Sequence, residues 1–149
     1  MAIADSFGQV RLWEVGAGRE LARWRAHESG ILGLAISPDG RLIATACYVD
    51  GEVRLWDASD GGPRGALTVP AGVAALAFSP DGRLLAMARG DGIASLSDVA
   101  SGRQVGEFRV PSGSLHAVAF SEDGRVLAAG GSDGCVRLWD VTTTLDGQE

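Results

Sequence analysis

The sequence predicts an all-β fold built from a repeated four-stranded unit, and three observations support that prediction. The hairpin motif Ser-Pro-Asp-Gly at 37–40 returns at 79–82 and, as Ser-Glu-Asp-Gly, at 121–124, in two steps of 42 residues. A second motif, Leu-Trp-Asp or a close variant of it, ends at residues 14, 57, 98 and 140. Within each unit, short apolar segments alternate with Gly, Asp and Pro turns, as successive antiparallel strands do. One such unit cannot bury its apolar faces alone, so neighbouring units must stack.

The second unit shows the four strands in order, which we name a to d. They are predicted at 31–36, 42–47, 52–57 and, for a weaker outer strand, 64–69. Pro-Asp-Gly joins a to b and Asp-Gly joins b to c, because Gly takes the positive φ of a tight hairpin. Strand a is nearly all apolar, so we expect it to be buried on both faces. The outer strands carry charged residues such as Arg23 and Glu107. This change from apolar inner strands to charged outer strands favours blades arranged around an axis. No helix is predicted.

These motifs resemble those of the WD40-repeat β-propeller family. The resemblance rests on the Trp-Asp end of strand c, the Ser-Pro-Asp-Gly hairpin and a b–c turn Asp six residues before the Trp, and it covers nearly the whole chain. It implies four-stranded antiparallel blades around a channel, and such rings close with about 4–8 blades. The chain holds about three and a half blades, which predicts an incomplete ring and a piece of a longer propeller. The predicted units are a partial blade (strands b, c, d) at 1–27, complete blades at 28–69 and 70–111, a partial blade (strands a, b, c) at 112–141, and a polar tail at 142–149.

The resemblance also implies a hydrogen-bonded tetrad in the second unit, made of His27, Thr45, Asp50 and Trp56. In the family pattern the Asp accepts from the His ring, the His engages the Thr hydroxyl, and that hydroxyl accepts from the indole N–H. An Asp-His-Thr set also suggests a nucleophile and its base, but the indole donor commits the hydroxyl to a fixed bond. We therefore interpret the tetrad as structural.

A candidate partner-binding surface is the rim on which propellers of this family place their d–a and b–c loops. Tyr48 is the only Tyr, and it lies where the second unit carries one extra residue. Aromatic and Arg side chains are the strongest anchors of protein interfaces, so we expect an exposed pair of Tyr48 and Arg89 there. The alternative is that the inserted residue simply bulges into solvent. The predicted rim residues are Tyr48, Val49, Arg89, Glu28, Ser29 and Ser112.

Other classes of site are not predicted. Two His and two Cys are spread over the units without zinc-ligand spacing, and each turn offers too few oxygens for calcium, so no metal or cofactor is expected. A net charge of −6 without a basic stripe argues against nucleic acid. No apolar segment approaches the roughly 18 residues that span a bilayer, so no membrane association is expected. Unpaired Cys residues favour the cytoplasm, and 13 Arg with no Lys indicate a GC-rich, bacterial genome.

These observations favour a non-catalytic protein–protein interaction scaffold, a segment of a larger propeller within a bacterial regulatory or assembly protein. Its protein partners are not identified by the sequence. One alternative is a propeller enzyme or small-ligand binder that uses the central channel, for which strand a supplies only His116 as a polar group. Another is a homo-oligomer that builds a ring from several copies. The remainder of the propeller is expected from the same chain or from another copy.

Overall fold

The computed structural model describes residues 1–146, which form four antiparallel sheets that follow one another along the chain. We call them blades 1 to 4. The elements are β1 (Ala2–Ala4), β2 (Gln9–Glu14) and β3 (Arg19–Arg25) in blade 1; β4 (Ile31–Ile36), β5 (Leu42–Cys47), β6 (Glu52–Asp57) and β7 (Pro63–Thr68) in blade 2; β8 (Val73–Phe78), β9 (Leu84–Arg89), β10 (Ile93–Asp98) and β11 (Gln104–Arg109) in blade 3; β12 (Leu115–Phe120), β13 (Val126–Gly131) and β14 (Val136–Asp140) in blade 4; and helix α1 (Thr142–Asp146). The all-β prediction is confirmed, and the described blades do not close into a ring.

Strands lie in chain order within every sheet, and the inner strands β4, β8 and β12 lie side by side. Strands a, b and c of blade 2 have the predicted bounds, and strand d begins one residue early, at Pro63. The a–b hairpins are built alike. In the first, Ser37 Oγ donates to Asp39 Oδ1 over 2.6 Å, and the N–H of Arg41 donates to the same oxygen over 3.0 Å. Gly40 has a φ of 71°, the left-handed conformation that the turn requires.

The apolar core lies between blades. We call the face of a blade toward the next blade in the chain its front and the opposite face its back. The front of blade 2 contributes Ala44, Ala46, Val53 and Leu55, which pack on Leu76, Leu85 and Met87 from the back of blade 3. The front of blade 3 contributes Ala86, Ala88, Ala94 and Leu96, which pack on Leu115, Leu127 and Ala129 from the back of blade 4. Fronts thus carry mostly small side chains and backs mostly larger ones, and burial of each large side chain contributes about 1.5–3 kcal/mol.

The prediction that strand a is buried on both faces is wrong. Leu32 is 60% exposed, and its equivalent in β12, His116, is also exposed. The register of the a–b pair shifts between Ile31 and Gly33, so Leu32 has no partner in the ladder. The same shift skips Ala74 in blade 3 and His116 in blade 4. A bulge re-aims its side chain, and the bulges of blades 2 and 4 therefore expose Leu32 and His116 at the inner edge of their sheets, while Ala74 in blade 3 is half-buried.

The prediction that the chain has no helix is also wrong, because α1 follows directly on β14. Asp140 Oδ1 accepts from the N–H of Thr142 over 2.9 Å, which satisfies a free donor at the start of the helix. Residues 147–149 of the predicted polar tail lie outside the described part of the chain.

Candidate functional site

The four tetrad residues form one hydrogen-bonded chain in blade 2. His27 Nδ1 lies 2.5 Å from Asp50 Oδ2, and His27 Nε2 lies 2.8 Å from Thr45 Oγ1. Trp56 Nε1 donates to the same hydroxyl oxygen over 2.9 Å. His27 and Thr45 are buried, so these bonds replace those that water would otherwise make. Since the Thr45 hydroxyl is engaged by both an indole and an imidazole, it is not free to attack a substrate.

Local structure brings the tetrad together and joins two blades. His27 lies just beyond β3, where the carbonyl of Gly8 in blade 1 accepts from its N–H over 3.2 Å. Asp50 is held in the β5–β6 turn, where its Oδ1 accepts from the N–H of Glu52 over 3.2 Å. The Trp56 ring packs on Trp24 of blade 1, with ring centroids 5.8 Å apart. The tetrad therefore fixes the loop that leads from blade 1 into blade 2.

Arg89 is not the exposed rim residue that the sequence predicts. Its side chain is 3% exposed, and its guanidinium pairs with Asp91 in the b–c turn of blade 3. Met87 and Arg89 lie two residues apart and both face the back of β9, so Arg89 points into the junction with blade 2. In this junction Val69 occupies the position of His27, so no His is available there. Its Nε atom has no hydrogen-bond partner among the described residues. Arg89 thus pairs with the turn Asp of blade 3 as His27 pairs with Asp50 in blade 2.

Tyr48 lies on the rim and is held against blade 3. A Cβ atom at Gly72 would lie 2.8 Å from the Tyr48 ring, and one at Gly90 would lie 2.3 Å from its hydroxyl oxygen. The ring therefore rests on two glycines, one in the d–a loop of blade 3 and one in its b–c turn, because a side chain at either position would displace it. Tyr48 is nevertheless 50% exposed, which leaves surface available to a partner. The inserted residue does not simply bulge into solvent.

The other predicted rim residues differ in their environments. Val49 is 80% exposed, and the side chains of Glu28 and Ser112 are exposed. Ser29 is only partly exposed, because its Oγ lies 2.8 Å from the Sγ of buried Cys47. The d–a and b–c loops do share one rim, since the N–H of Val69 donates to the b–c turn at Gly51 over 2.9 Å, with equivalent bonds in blades 1 and 3.

Phe7 was missed by the sequence reasoning, although it lies on the same rim and is 74% exposed. It occupies the b–c turn of blade 1 at the position where blades 2 to 4 have the turn Asp. An apolar residue that replaces a recurring polar turn residue was the available signal. Phe7 and Tyr48 lie on either side of the d–a loop that carries Glu28, because the loop is bonded to Gly8 on one side and, through His27, to Asp50 on the other.

Among the described residues, the edge of the blades that faces the channel carries few polar side chains. At the bulge position, blades 2 to 4 have Leu32, Ala74 and His116. His116 Nε2 lies 3.1 Å from Ser114 Oγ, and both residues are at the surface, so this pair has no enclosed space in which to hold a substrate. Two open grooves of about 510 and 520 Å³ lie instead on the opposite rim. In the first, hydrogen bonds from Ser59 and Arg64 hold the pKa of Asp57 well below its usual value, so this carboxylate is already paired.

The tetrad has a sulfur atom beside it. His27, Cys47 and Asp50 each place a potential metal-binding atom within 4.8 Å of the other two. Sequence spacing did not predict this group, because the ladder between β4 and β5 brings Cys47 to the loop that carries His27. The expectation that the chain binds no metal or cofactor stays a prediction.

Comparison with known proteins identifies the family of this chain. The family described as WD domain, G-beta repeat matches residues 18–57 and 102–140, more than half of the chain. The family described as Anaphase-promoting complex subunit 4 WD40 domain matches residues 68–118. With its blades, tetrad and repeated turns, the chain belongs to the WD40-repeat family.

Similar proteins share only short stretches with it. The chain is 46% identical to Coronin-7 of Rattus norvegicus over 48 residues, which are 32% of this chain and 5% of that protein. It is 43% identical to Centriole proteome protein 16 of Chlamydomonas reinhardtii over 56 residues, 37% of this chain and 3% of that protein. It is 41% identical to Telomerase protein component 1 of Rattus norvegicus over 54 residues, 36% of this chain and 2% of that protein. The chain thus spans about one-twentieth or less of these curated relatives. In its described part, no helix has the length and apolar character needed to cross a membrane.

Proposed function

We propose that the chain is a non-catalytic scaffold segment that binds protein partners through the rim of its d–a and b–c loops. WD40 repeats are protein-interaction modules, and membership of that family supports this class of function. The observation that carries the proposal is the group of exposed apolar side chains on this rim: Phe7, Tyr48 and Val49. Exposed apolar groups on a rigid support are typical of binding surfaces.

The support under Tyr48 strengthens the proposal. Its ring is already placed by Gly72 and Gly90, so binding through it costs little side-chain entropy. Phe7 and Tyr48 flank Glu28, whose exposed carboxylate adds a polar contact beside two aromatic ones. Arg89 makes no direct contribution, because it is buried against Asp91.

The rim is tested by comparing two valines of similar exposure. Val49 on the rim is 80% exposed and Val15 on the opposite rim is 70% exposed. Proteins of the source cell that crosslink to the full-length protein are identified first, and their affinities are then measured with variants. We expect Tyr48→Ala and Val49→Ser to weaken binding at least about tenfold, while Val15→Ser leaves it unchanged. Unchanged binding by a Phe7→Ala, Tyr48→Ala double variant would exclude this rim.

We further propose that the blades complete a larger ring, with the remainder supplied by the same polypeptide or by another copy. The front of blade 4 supports this. Val136 and Leu138 are 74% and 68% exposed, whereas their equivalents Val53 and Leu55 in blade 2 are 0% and 6% exposed. Identical side chains at equivalent positions are thus buried wherever a following blade is present. This face suits the back of another blade.

The proposed setting is a regulatory or assembly protein in the cytoplasm of a bacterium. Its support is the use of Arg for all 13 basic residues and the two free thiols at Cys47 and Cys135. The relatives named above are eukaryotic. The coding sequence on either side of this segment tests both the source and the associated domains.

A further inference from the structure

Blade 2 brings together three side chains of the types that bind transition metals. His27 comes from the β3–β4 loop, Cys47 from the end of β5 and Asp50 from the β5–β6 turn, and their ligating atoms all lie within 4.8 Å of one another. Thiolate, imidazole and carboxylate are the three ligand types that zinc uses in proteins. The group is built from three elements, so the fold itself positions it.

The sulfur of Cys47 is surrounded by hydrogen-bonding groups. The N–H of Val49 donates to Sγ over 3.3 Å, and Ser29 Oγ lies 2.8 Å from Sγ. The Val49 N–H is a fixed donor to the sulfur, and the Ser29 hydroxyl can also donate to it once the thiol has lost its proton; the thiolate is the form that binds a metal. Cys47 is 1% exposed, whereas the Asp50 side chain is 23% exposed, so an ion can reach the group from the rim.

We propose that His27, Cys47 and Asp50 bind one thiophilic divalent cation of the zinc class, with a water molecule as fourth ligand. On binding, Cys47 releases its thiol proton to solvent. The imidazole proton that faces Asp50 moves from Nδ1 to Nε2, so Nδ1 is free to ligate the ion. Nε2–H then donates to Thr45 Oγ1, as the second ring nitrogen of a metal-bound histidine ordinarily donates to an oxygen, and the Thr45 hydroxyl hydrogen rotates away from the ring while its oxygen still accepts from Trp56.

The ion requires a small movement of Asp50. Tetrahedral bonds of about 2.0–2.2 Å place two ligand atoms roughly 3.4 Å apart. His27 Nδ1 and Asp50 Oδ2 are now 2.5 Å apart. His27 is held by Thr45, but Asp50 lies in an exposed turn that is one residue longer than the equivalent turn of blade 3. The turn can therefore supply the movement of Asp50 that the ion requires.

This combination of ligands is confined to blade 2. At the positions of His27 and Cys47, blade 3 has Val69 and Arg89, and blade 4 has Pro111 and Gly131. The second cysteine, Cys135, lies exposed in blade 4. It offers a natural control for metal binding by an isolated thiol.

The test uses Co²⁺ as a spectroscopic probe and Zn²⁺ as the binding ion. Co²⁺ is added to the reduced full-length chain without oxygen, and the thiolate-to-cobalt charge-transfer band is recorded. We expect the band to saturate at one ion per chain. Cys47→Ser should abolish it and weaken Zn²⁺ binding in equilibrium dialysis at least about tenfold. Asp50→Asn, whose amide oxygen can still accept from the N–H of Glu52, should weaken Zn²⁺ binding similarly. Cys135→Ser should change neither measurement.

Three results overturn the proposal: a wild-type chain without the band, a band that survives Cys47→Ser, and a band that is lost on Cys135→Ser. Circular dichroism of each variant shows whether it is folded. Cys47→Ala serves as the second variant if the Ser hydroxyl disturbs this buried position. If the wild-type chain forms no thiolate-to-cobalt band, that result alone excludes the site.

Discussion

At the scale of single residues, the turn Asp of blades 2 to 4 is paired by a residue from a different place in each blade. Asp50 is bonded to His27 from the preceding loop, and Asp91 is paired with Arg89 from the neighbouring strand of its own blade. Asp133 is paired with Arg137, 2.6 Å away. The position of the carboxylate is kept while its partner changes in type and in origin. Loss of the tetrad outside blade 2 therefore does not leave these carboxylates unpaired.

We expect His27→Ala to lower the free energy of unfolding by about 1–3 kcal/mol, because it leaves Thr45 and Asp50 without their shared partner. Urea unfolding followed by tryptophan fluorescence measures the change. The control is His116→Ala, which removes an exposed imidazole and should alter stability by less than about 0.5 kcal/mol. An unchanged unfolding midpoint for His27→Ala would show that the tetrad contributes nothing to stability.

We expect Asp91→Ala to lower the free energy of unfolding by about 1–3 kcal/mol, because it leaves the buried guanidinium of Arg89 without its partner. Combining it with Arg89→Met should recover part of the loss, since no unpaired charge is then buried. The two single variants and the double variant form a thermodynamic cycle, measured by urea unfolding. Strictly additive losses would mean that the pair has no coupling.

At the scale of elements, the a–b hairpins contribute part of the pH response. Hydrogen bonds from a Ser hydroxyl, and then from the backbone N–H of an Arg, hold the pKa of each hairpin Asp below its usual value. A carboxyl whose pKa is lower in the folded than in the unfolded chain stabilises the fold fully above the unfolded value. That stabilisation is lost as the pH falls through the folded value. The three carboxyls are Asp39, Asp81 and Asp123.

We therefore expect stability to fall between about pH 5 and pH 2, around and below the usual Asp value near 3.9. Replacing all three hairpin Asp residues with Asn should reduce the slope of this dependence without abolishing it, because the amide oxygen still accepts hydrogen bonds but does not titrate, while Asp57 and other carboxyls with a lowered pKa remain. Urea unfolding at a series of pH values measures the slope. Glu122→Gln, which changes an exposed carboxylate beside one hairpin, is the control. A triple variant with the wild-type slope would contradict the assignment.

Strand positions were predictable from the sequence, because the turns that bound them have distinctive residues. Asp39 and Asp50 lie in the turns on either side of β5, and its bounds agree with the prediction. The outward turn of Leu32 was not predictable, since a bulge depends on register between strands. The burial of Arg89 depends on which residue the preceding loop supplies across the blade junction. Helix α1 was missed because a five-residue segment has no periodicity, and its capping by Asp140 depends on the end of β14.

At the scale of the whole molecule, stability comes from junctions between blades. Each junction sets a front of small side chains against a back of larger ones, and the front of blade 4 repeats the pattern with nothing over it among the described residues. Exposed apolar faces of this kind favour association. The isolated chain should therefore associate more readily than a complete ring.

We expect the isolated chain to associate as its concentration rises, and Val136→Ser with Leu138→Ser to reduce this association. Light scattering over a concentration series measures it. Val15→Ser is the matched control, because Val15 is 70% exposed and Val136 is 74% exposed. A wild-type chain that stays monomeric at all concentrations, with one cooperative melting transition, would contradict the prediction.

Because the front and the back of a blade differ, the series of blades has a direction, with unlike faces at its two ends. The front of blade 4 has Ala or Gly on its two inner strands and exposed Val136 and Leu138 on β14, and in the two junctions of the chain such a front packs on the larger side chains of a back. Contacts of front to back are heterologous, and heterologous contacts produce a closed ring when the rotation per copy fits, or an open filament when it does not. The small residues at 117, 128 and 130 thus favour one direction in which this molecule can grow.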